Sequence, residues 1–374
     1  RLSRFTMDPG KSPASLGDER MLLEIPSDRE NTTCHEGGSL AFGPDGNLYL
    51  SVGDNTNPFE SNGYAPIDER EGRKWWDAQR SAGNSNDLRG GIVRIRPSAD
   101  GGYTIPAGNL YPPGTPNTRP ELFVKGCRNP FRMSIDSKTG DVFWGDVGPD
   151  ASNDGSAGTR GFDEFNRAKS AGFFGWPYYR GGLPYLDRNF ESDLIGTSFD
   201  ELLVNDSPNN TGISTLPPAV PPYFSYTYAL DERLPELRSG SRNAMAGPIF
   251  RGPYDETAGG FPDYFDGKPI FYDWARGHIF VCVPDENGDL DTMHRFLEDL
   301  TLKHPMDTAI GPGGELFVLS QYLGFVLNQD VQFVCGREDK TVTNDDGLGA
   351  QHVKCQKARK ASKVRHCIPS HVCP

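Results

Sequence analysis

Three stretches of the chain repeat one pattern: alternating apolar residues, a Gly/Pro/Asp turn, then a second apolar run. They are Leu40 to Asp54 (LAFGPDGNLYLSVGD), Met133 to Gly148 (MSIDSKTGDVFWGDVG) and Met306 to Gln321 (MDTAIGPGGELFVLSQ). Apolar residues at every second position fit one face of a strand. The first turn has chemical causes: Pro44 presets φ, Asp45 accepts from nearby backbone N–H groups, and Gly46 tolerates positive φ. Each unit reads as a β-hairpin. Ile92 to Arg96, and Gly277 to Val283 with the turn Pro284 to Gly288, supply further strands. The 44 Gly and 31 Pro leave little room for amphipathic helix. The predicted fold class is therefore all-β, with four-stranded antiparallel blades repeated around an axis as in a β-propeller. A β-sandwich is the alternative, because the repeat periods are irregular. The insertions Asn55 to Asp87 and Asp150 to Gly161 are expected as loops gathered on one face.

The 38 Lys+Arg against 51 Asp+Glu give a formal net charge of −13, which argues against nucleic acid or anionic lipid as the main partner. No apolar run approaches the ~18 to 20 residues of a membrane span. From Gly347 to Pro374 the balance reverses: no acidic residue occurs, while Lys354, Lys357, Arg359, Lys360, Lys363 and Arg365 do. Seven cysteines are present, with Cys335, Cys355, Cys367 and Cys373 near the end. Those four, with His352, His366 and His371, lack the C-x-x-C spacing of a zinc site, so disulfides in the tail are the expectation. An oxidising, extracytoplasmic compartment, periplasmic or secreted, fits that usage. The chain opens at Arg1 without Met or an apolar signal segment, which reads as processing or as a fragment.

Opposed residues in an antiparallel hairpin are set by the turn. A turn over Gly43 to Gly46 puts His35 opposite Asp54 at the open end of the first unit. A turn near Lys138 and Thr139 puts Arg128 opposite Gly148 or Pro149 in the second. A His oriented by a carboxylate is fixed in one tautomer and can take a proton at neutral pH; the bland alternative is a satisfied structural His. Arg128 can clamp a carboxylate or steady a developing oxyanion, or else form a structural ion pair. Carbonyls turned outward around Gly148 and Pro149 suit a hard cation such as Ca²⁺. No Walker loop, Rossmann glycine fingerprint, G-x-S-x-G elbow or H-E-x-x-H motif is present.

His35-Glu36-Gly37-Gly38 running into AFGPDGNLYLSVGD, NDLRGGIVRI at Asn86 to Ile95, GCRNPFRMSID at Gly126 to Asp136 and GDVGPD at Gly145 to Asp150 occur in this order. They are followed by FDEFN at Phe162 to Asn166, GFFGWP at Gly172 to Pro177 and YDWARG at Tyr272 to Gly277. In these motifs the chain resembles the glucose/sorbosone dehydrogenase family, soluble quinoprotein sugar dehydrogenases on a six-bladed β-propeller. The resemblance implies a propeller over residues 1–325, incomplete by a blade or so at its N-terminus, and a separate Cys-rich basic tail over 326–374. It implies pyrroloquinoline quinone (PQQ) and Ca²⁺ as cofactors, an aldose or sugar aldehyde as substrate, and an external electron acceptor. His35 matches the catalytic base, Asp54 the carboxylate orienting it, and Arg128 the arginine beside the quinone, with Asn129 next to the cofactor. Gly148 and Pro149 match the carbonyl ligands of Ca²⁺, and Arg276 and Arg242 match positions facing the cofactor's carboxylates. A propeller without redox activity, binding carbohydrate or protein through the same loop face, is the alternative.

Other features carry weaker expectations. Trp75 and Trp76, and Tyr178 and Tyr179, could stack on a sugar ring or anchor loops. Asn55, Asn57, Asp150, Asn153 and Asp154 could hold a second Ca²⁺ or be solvated turns. Cys34 and Cys127, beside His35 and Arg128, could bridge or remain free thiols.

Overall fold

The computed structural model describes residues 1–11, 15–156, 158–199, 203–254, 260–296 and 301–321, and the backbone of four strands between 324 and 369. It is all-β. Among the described residues the helical segments are three-residue 3₁₀ turns such as Lys74–Trp76 and Pro235–Leu237. Two compact units make up the chain, Arg1–Asp231 and Glu232–Pro374.

The first unit holds two sheets that run as sequential antiparallel meanders. One orders Ser39–Phe42, Leu48–Val52, Gly91–Pro97 and Leu122–Lys125, with short strands added at Tyr103–Thr104 and, in parallel, Gly172–Phe173. The other orders Pro130–Ile135, Val142–Asp146, Asp163–Ala168 and Phe224–Tyr226. The leading strands of the two sheets lie side by side, and the Met133 N–H donates to Ser39 Oγ at 3.3 Å. Between the sheets sits an apolar core of Tyr49, Ile92, Phe123, Val142, Trp144 and Phe174. The fully buried Trp144 packs edge-on to Phe174 at 4.7 Å, burial worth ~2 to 3 kcal/mol for each such side chain.

The turn chemistry read from Pro44-Asp45-Gly46 is present: Gly46 has φ 76°, and Asp45 Oδ1 accepts from Asn47 N at 3.1 Å. The register is one residue off the expected one. Ser39 pairs with Ser51, and the Asn55 N–H donates to His35 O at 2.9 Å, so His35 opposes Asn55 rather than Asp54. In the second sheet Arg132 pairs with Gly145 as expected, and an irregularity at Phe131 shifts Pro130 onto Asp146.

The second unit also contains two meanders. Ala244–Ile249, Pro269–Asp273, His278–Pro284 and Leu290–Phe296 form one. Pro305–Ile310, Leu316–Ser320, Gly324–Leu327 and Val334–Cys335 form the other. The leading strands again lie side by side, and Phe250, Phe261, Phe265 and Phe296 form an aromatic cluster beside the first of these sheets. In the tail, Val353–Lys357 pairs with Arg365–Pro369, which sets Cys355 opposite Cys367 in backbone register. The side chains of the tail cysteines and histidines lie outside the described residues, and with them the expected tail disulfides.

Candidate functional site

His35 precedes its leading strand in a left-handed conformation, φ 57°, which a histidine tolerates better than most residues. The chain passes so close to itself here that a Cβ on Gly53 would lie 2.0 Å from His35 O. Glycine is therefore required at position 53 for the His35 turn to rest against the end of the neighbouring strand.

The carboxylate of Asp54 is fully buried and takes three donors. Oδ1 lies 2.9 Å from His35 Nδ1 and accepts from Thr56 N at 2.9 Å; Oδ2 accepts from Trp176 Nε1 at 2.8 Å. A carboxylate has no proton to give, so Nδ1 carries the hydrogen and Nε2 presents a lone pair. Burial, then the charge of Arg128, hold the His35 pKa below its ordinary value, outweighing Asp54. The ring is neutral at neutral pH and able to accept a proton.

Arg128 stands beside this pair. Its carbonyl accepts from Asp54 N at 2.8 Å and one guanidinium nitrogen donates to Val147 O at 3.0 Å. Its Nε and the Asn129 side-chain oxygen are both buried without a protein partner, a donor and an acceptor from consecutive residues. Burial of the guanidinium lowers the Arg128 pKa. The backbone beneath is fixed by Asp146, which accepts from Arg128 N at 3.1 Å and Asn129 N at 2.6 Å. Arg180, fully buried, bridges Asp146 at 2.9 Å and Glu164 at 3.0 Å and donates further to Asp146 O and Phe162 O.

Gly148 donates its N–H to Asp163 Oδ1 at 2.9 Å, and a Cβ there would fall 1.7 Å from Phe162 O. This pins the Gly148-Pro149 turn at the same end of the second sheet as Arg128. Among the described residues no group of three or more His, Cys, Asp or Glu is arranged for a metal. A cavity of about 280 Å³ has Glu36, Gly38, Val52, Asn55 and Arg89 among its walls, and neither His35 nor Asp54 lines it.

In the second unit Arg242 is buried just before Ala244–Ile249, and Arg276 follows Pro269–Asp273, so both occupy the mouth of their own hairpin. The Arg276 guanidinium donates to Leu237 O at 2.8 Å, Arg238 O at 3.0 Å, Gly240 O at 3.1 Å and Ser241 O at 2.8 Å. It cradles the loop that leads into Arg242.

The structure separates several of the paired alternatives. Cys34 and Cys127 are free thiols, as is Cys282, so no bridge joins the two hairpin ends; burial raises the pKa of each. Tyr178 is fully buried, edge-on to Phe199 at 4.9 Å, and lines no mouth. Arg80 and Lys74 lie over Trp75 and Arg73 over Trp76, which fits loop anchoring by the two indoles. Asn55 Oδ1 accepts from Asp28 N at 2.8 Å and Asp154 pairs with Arg160 at 2.7 Å, so those oxygens already have protein partners rather than a second Ca²⁺.

Trp176, Asp146 and Arg180 were missed by reasoning from sequence. Trp176 and Asp146 sit inside the motifs GFFGWP and GDVGPD, but their partners are distant in the chain. No local pattern marks Arg180.

The model of the family described as "Glucose / Sorbosone dehydrogenase" matches residues 3–201. The chain is 31% identical over 294 residues to HIPL2 protein of Arabidopsis thaliana, covering 74% of this chain and 34% of that protein. It is 31% identical over 130 residues to Hedgehog-interacting protein of Homo sapiens, covering 34% of this chain and 16% of that one. The chain thus spans about a third or less of these curated relatives. Among solved structures it is similar to the PQQ-bound aldose sugar dehydrogenase of Streptomyces coelicolor, at 17% identity and TM-score 0.49, covering 86% of this chain and 66% of that one. It is also similar to the apo aldose sugar dehydrogenase of Escherichia coli, at 18% identity and TM-score 0.44, covering 83% and 65%. Both likenesses fall below the level that would define this chain's fold. The family match extends over more than half of the chain and takes in His35, Asp54, Arg128, Asn129, Gly148 and Pro149: the chain belongs to the glucose/sorbosone dehydrogenase family.

Proposed function

We propose that the chain is the catalytic part of an extracytoplasmic, PQQ- and Ca²⁺-dependent dehydrogenase of an aldose or sugar aldehyde. In this reading its sheets are blades of a six-bladed propeller over 1–325, with 326–374 a separate tail. The observation that carries the reading is a neutral His35, held by Asp54, itself fixed by Trp176, next to an unpartnered Arg128 Nε and Asn129 Oδ1. A buried donor and acceptor without protein partners fit a polar, planar cofactor that brings both kinds of group.

PQQ, when bound, supplies a two-electron oxidant for the sugar carbon that bears the hydroxyl. Arg128 and Asn129 would hold that cofactor, and the carbonyl oxygens of Gly148 and Pro149 would hold Ca²⁺, a ligand type that hard cations accept. His35 Nε2 takes the proton of the substrate hydroxyl. Asp54 keeps Nδ1 protonated and stabilises the imidazolium that results. Arg128 steadies negative charge on the substrate oxygen as that proton leaves. In the second unit Arg276 is spent on the 237–241 loop and holds the segment that leads into Arg242.

The second reading is a propeller that binds a protein or carbohydrate without redox chemistry. Its support is the name of one relative, Hedgehog-interacting protein. Adding PQQ and Ca²⁺ to the purified chain separates the two. The dehydrogenase reading expects a bound-quinone absorbance and sugar-dependent reduction of a dye, with turnover lost and quinone still bound in His35→Ala. No quinone binding, or full turnover in that variant, overturns it.

A further inference from the structure

The second unit contains a structural copy of the Arg128-Asn129 corner. In the first unit Asp146 ends a strand, pairs with Pro130, and accepts from Asn129 N, while the Val147 N–H donates back to Asn129 O at 3.4 Å. In the second unit Asp273 ends a strand, pairs with Ala244, and accepts from Asn243 N at 3.0 Å, while the Trp274 N–H donates back to Asn243 O at 3.0 Å. Both aspartates are buried, and an arginine precedes each asparagine. The likeness extends to the orphaned atom. Asn243 Oδ1, like Asn129 Oδ1, is buried without a protein donor.

We propose that Arg242-Asn243 is a second ligand-binding corner and that it takes a neutral, hydroxyl-bearing ligand of carbohydrate type. An isolated buried acceptor costs free energy unless a donor arrives, and a carboxylate or phosphate oxygen has no proton to offer it. A hydroxyl donates to Asn243 Oδ1 and meets that need without bringing a charge. Aromatic surface lies next to the corner: the half-buried Trp274, bonded through its backbone to Asn243, stacks on His304 at 4.1 Å and donates Nε1 to Met306 Sδ at 3.1 Å. Such a plate suits the C–H face of a sugar ring. His304 occupies the same mouth position in its hairpin that His35 has in its own, with φ 51° and its carbonyl accepting from Gln321 N at 3.0 Å. The proposal needs neither quinone nor metal, so it stands apart from the dehydrogenase reading.

The test uses the whole chain without PQQ or Ca²⁺. Methyl α-D-glucopyranoside and maltose are titrated by saturation-transfer NMR and tryptophan fluorescence, with glucuronate as the anionic counterpart. We expect saturable binding of the neutral sugars, weaker by about 5- to 10-fold in Asn243→Leu, the loss of one hydrogen bond, and weaker binding of glucuronate. Removing an unpaired buried acceptor relieves a cost, so Asn243→Leu is also expected to melt at or above the wild-type temperature. The proposal is overturned if no neutral sugar binds, if glucuronate binds better, or if only Asn129→Leu weakens binding. A lower melting temperature in Asn243→Leu also overturns it, since Asn243 would then be structural.

Discussion

Replacing Arg180 by Met removes a guanidinium that is fully buried and makes four hydrogen bonds, to Asp146 Oδ2, Glu164 Oε2, Asp146 O and Phe162 O. Met matches the side chain's length but leaves two carboxylates in the interior without their counter-charge. Breaking a buried pair from one side costs about 3–5 kcal/mol, a large part of the ~5 to 15 kcal/mol that holds a typical domain. For a unit of this size that corresponds to a drop in melting temperature of roughly 10 °C. The deficit has a signature in pH. Burial lifts the Glu164 pKa above its ordinary value and Arg180 pulls it back, so the variant's folded pKa rises further. A carboxyl whose folded pKa exceeds the unfolded one loses stability as pH rises through the folded value. The deficit is therefore smaller near pH ~5 than near pH ~8, and Glu164→Gln added to Arg180→Met recovers part of it. Urea unfolding of both variants across that range is the measurement. A deficit under about 1 kcal/mol, or one independent of pH, would refute the assignment of Arg180 as the counter-charge beneath Arg128 and Asn129.

Three further outcomes are expected. Lys125 is fully buried against Asp87 O and Arg89 O, and burial pulls its pKa down from 10.5 to about 7. The unfolded chain holds a proton between those values that the folded chain lacks, so stability rises with pH across the window by up to ~1.4 kcal/mol per unit. Lys125→Met should flatten that rise, and parallel pH–stability curves for the two proteins would count against it. Gly53→Ala, whose Cβ would strike His35 O, should cost about 1–3 kcal/mol in thermal unfolding, whereas a neutral effect would mean the turn relaxes freely. Asp54→Asn should cut sugar turnover by about 100-fold or more by releasing the His35 tautomer, read as turnover with PQQ and Ca²⁺ bound; a change under threefold would argue against the pair.

What the sequence disclosed follows the range of the interactions. The hairpins were legible because their turns and alternation are local, and the His35–Asp54 contact because both residues sit at the mouth of one hairpin. It survived a register slip of one residue, since the side chains reach across what the backbone offset separates. Asp54 to Trp176, and Arg180 to Asp146 and Glu164, join the 176–180 segment to strand ends far away in the chain, and no spacing in the chain encodes that. Arg276 was singled out only through the family likeness, and its commitment to carbonyls of the 237–241 loop was not legible, because those acceptors carry no side-chain signature. Asn243 could have been found by laying SGSRNAM over GCRNPFR, where the shared Arg-Asn step precedes a strand in both.

The paired aspartates, Asp146 and Asp273, have a consequence for how such a chain can change over time. Each secures the main chain of its own turn through its carboxylate oxygens, so the side chains presented above it are not what keeps that turn in shape. Exchanging an Arg-Asn step for another pair would alter what that corner presents while the turn beneath keeps its form. In each socket the main-chain N–H groups are held by the aspartate, so the turn keeps its path when the side chains it presents are changed.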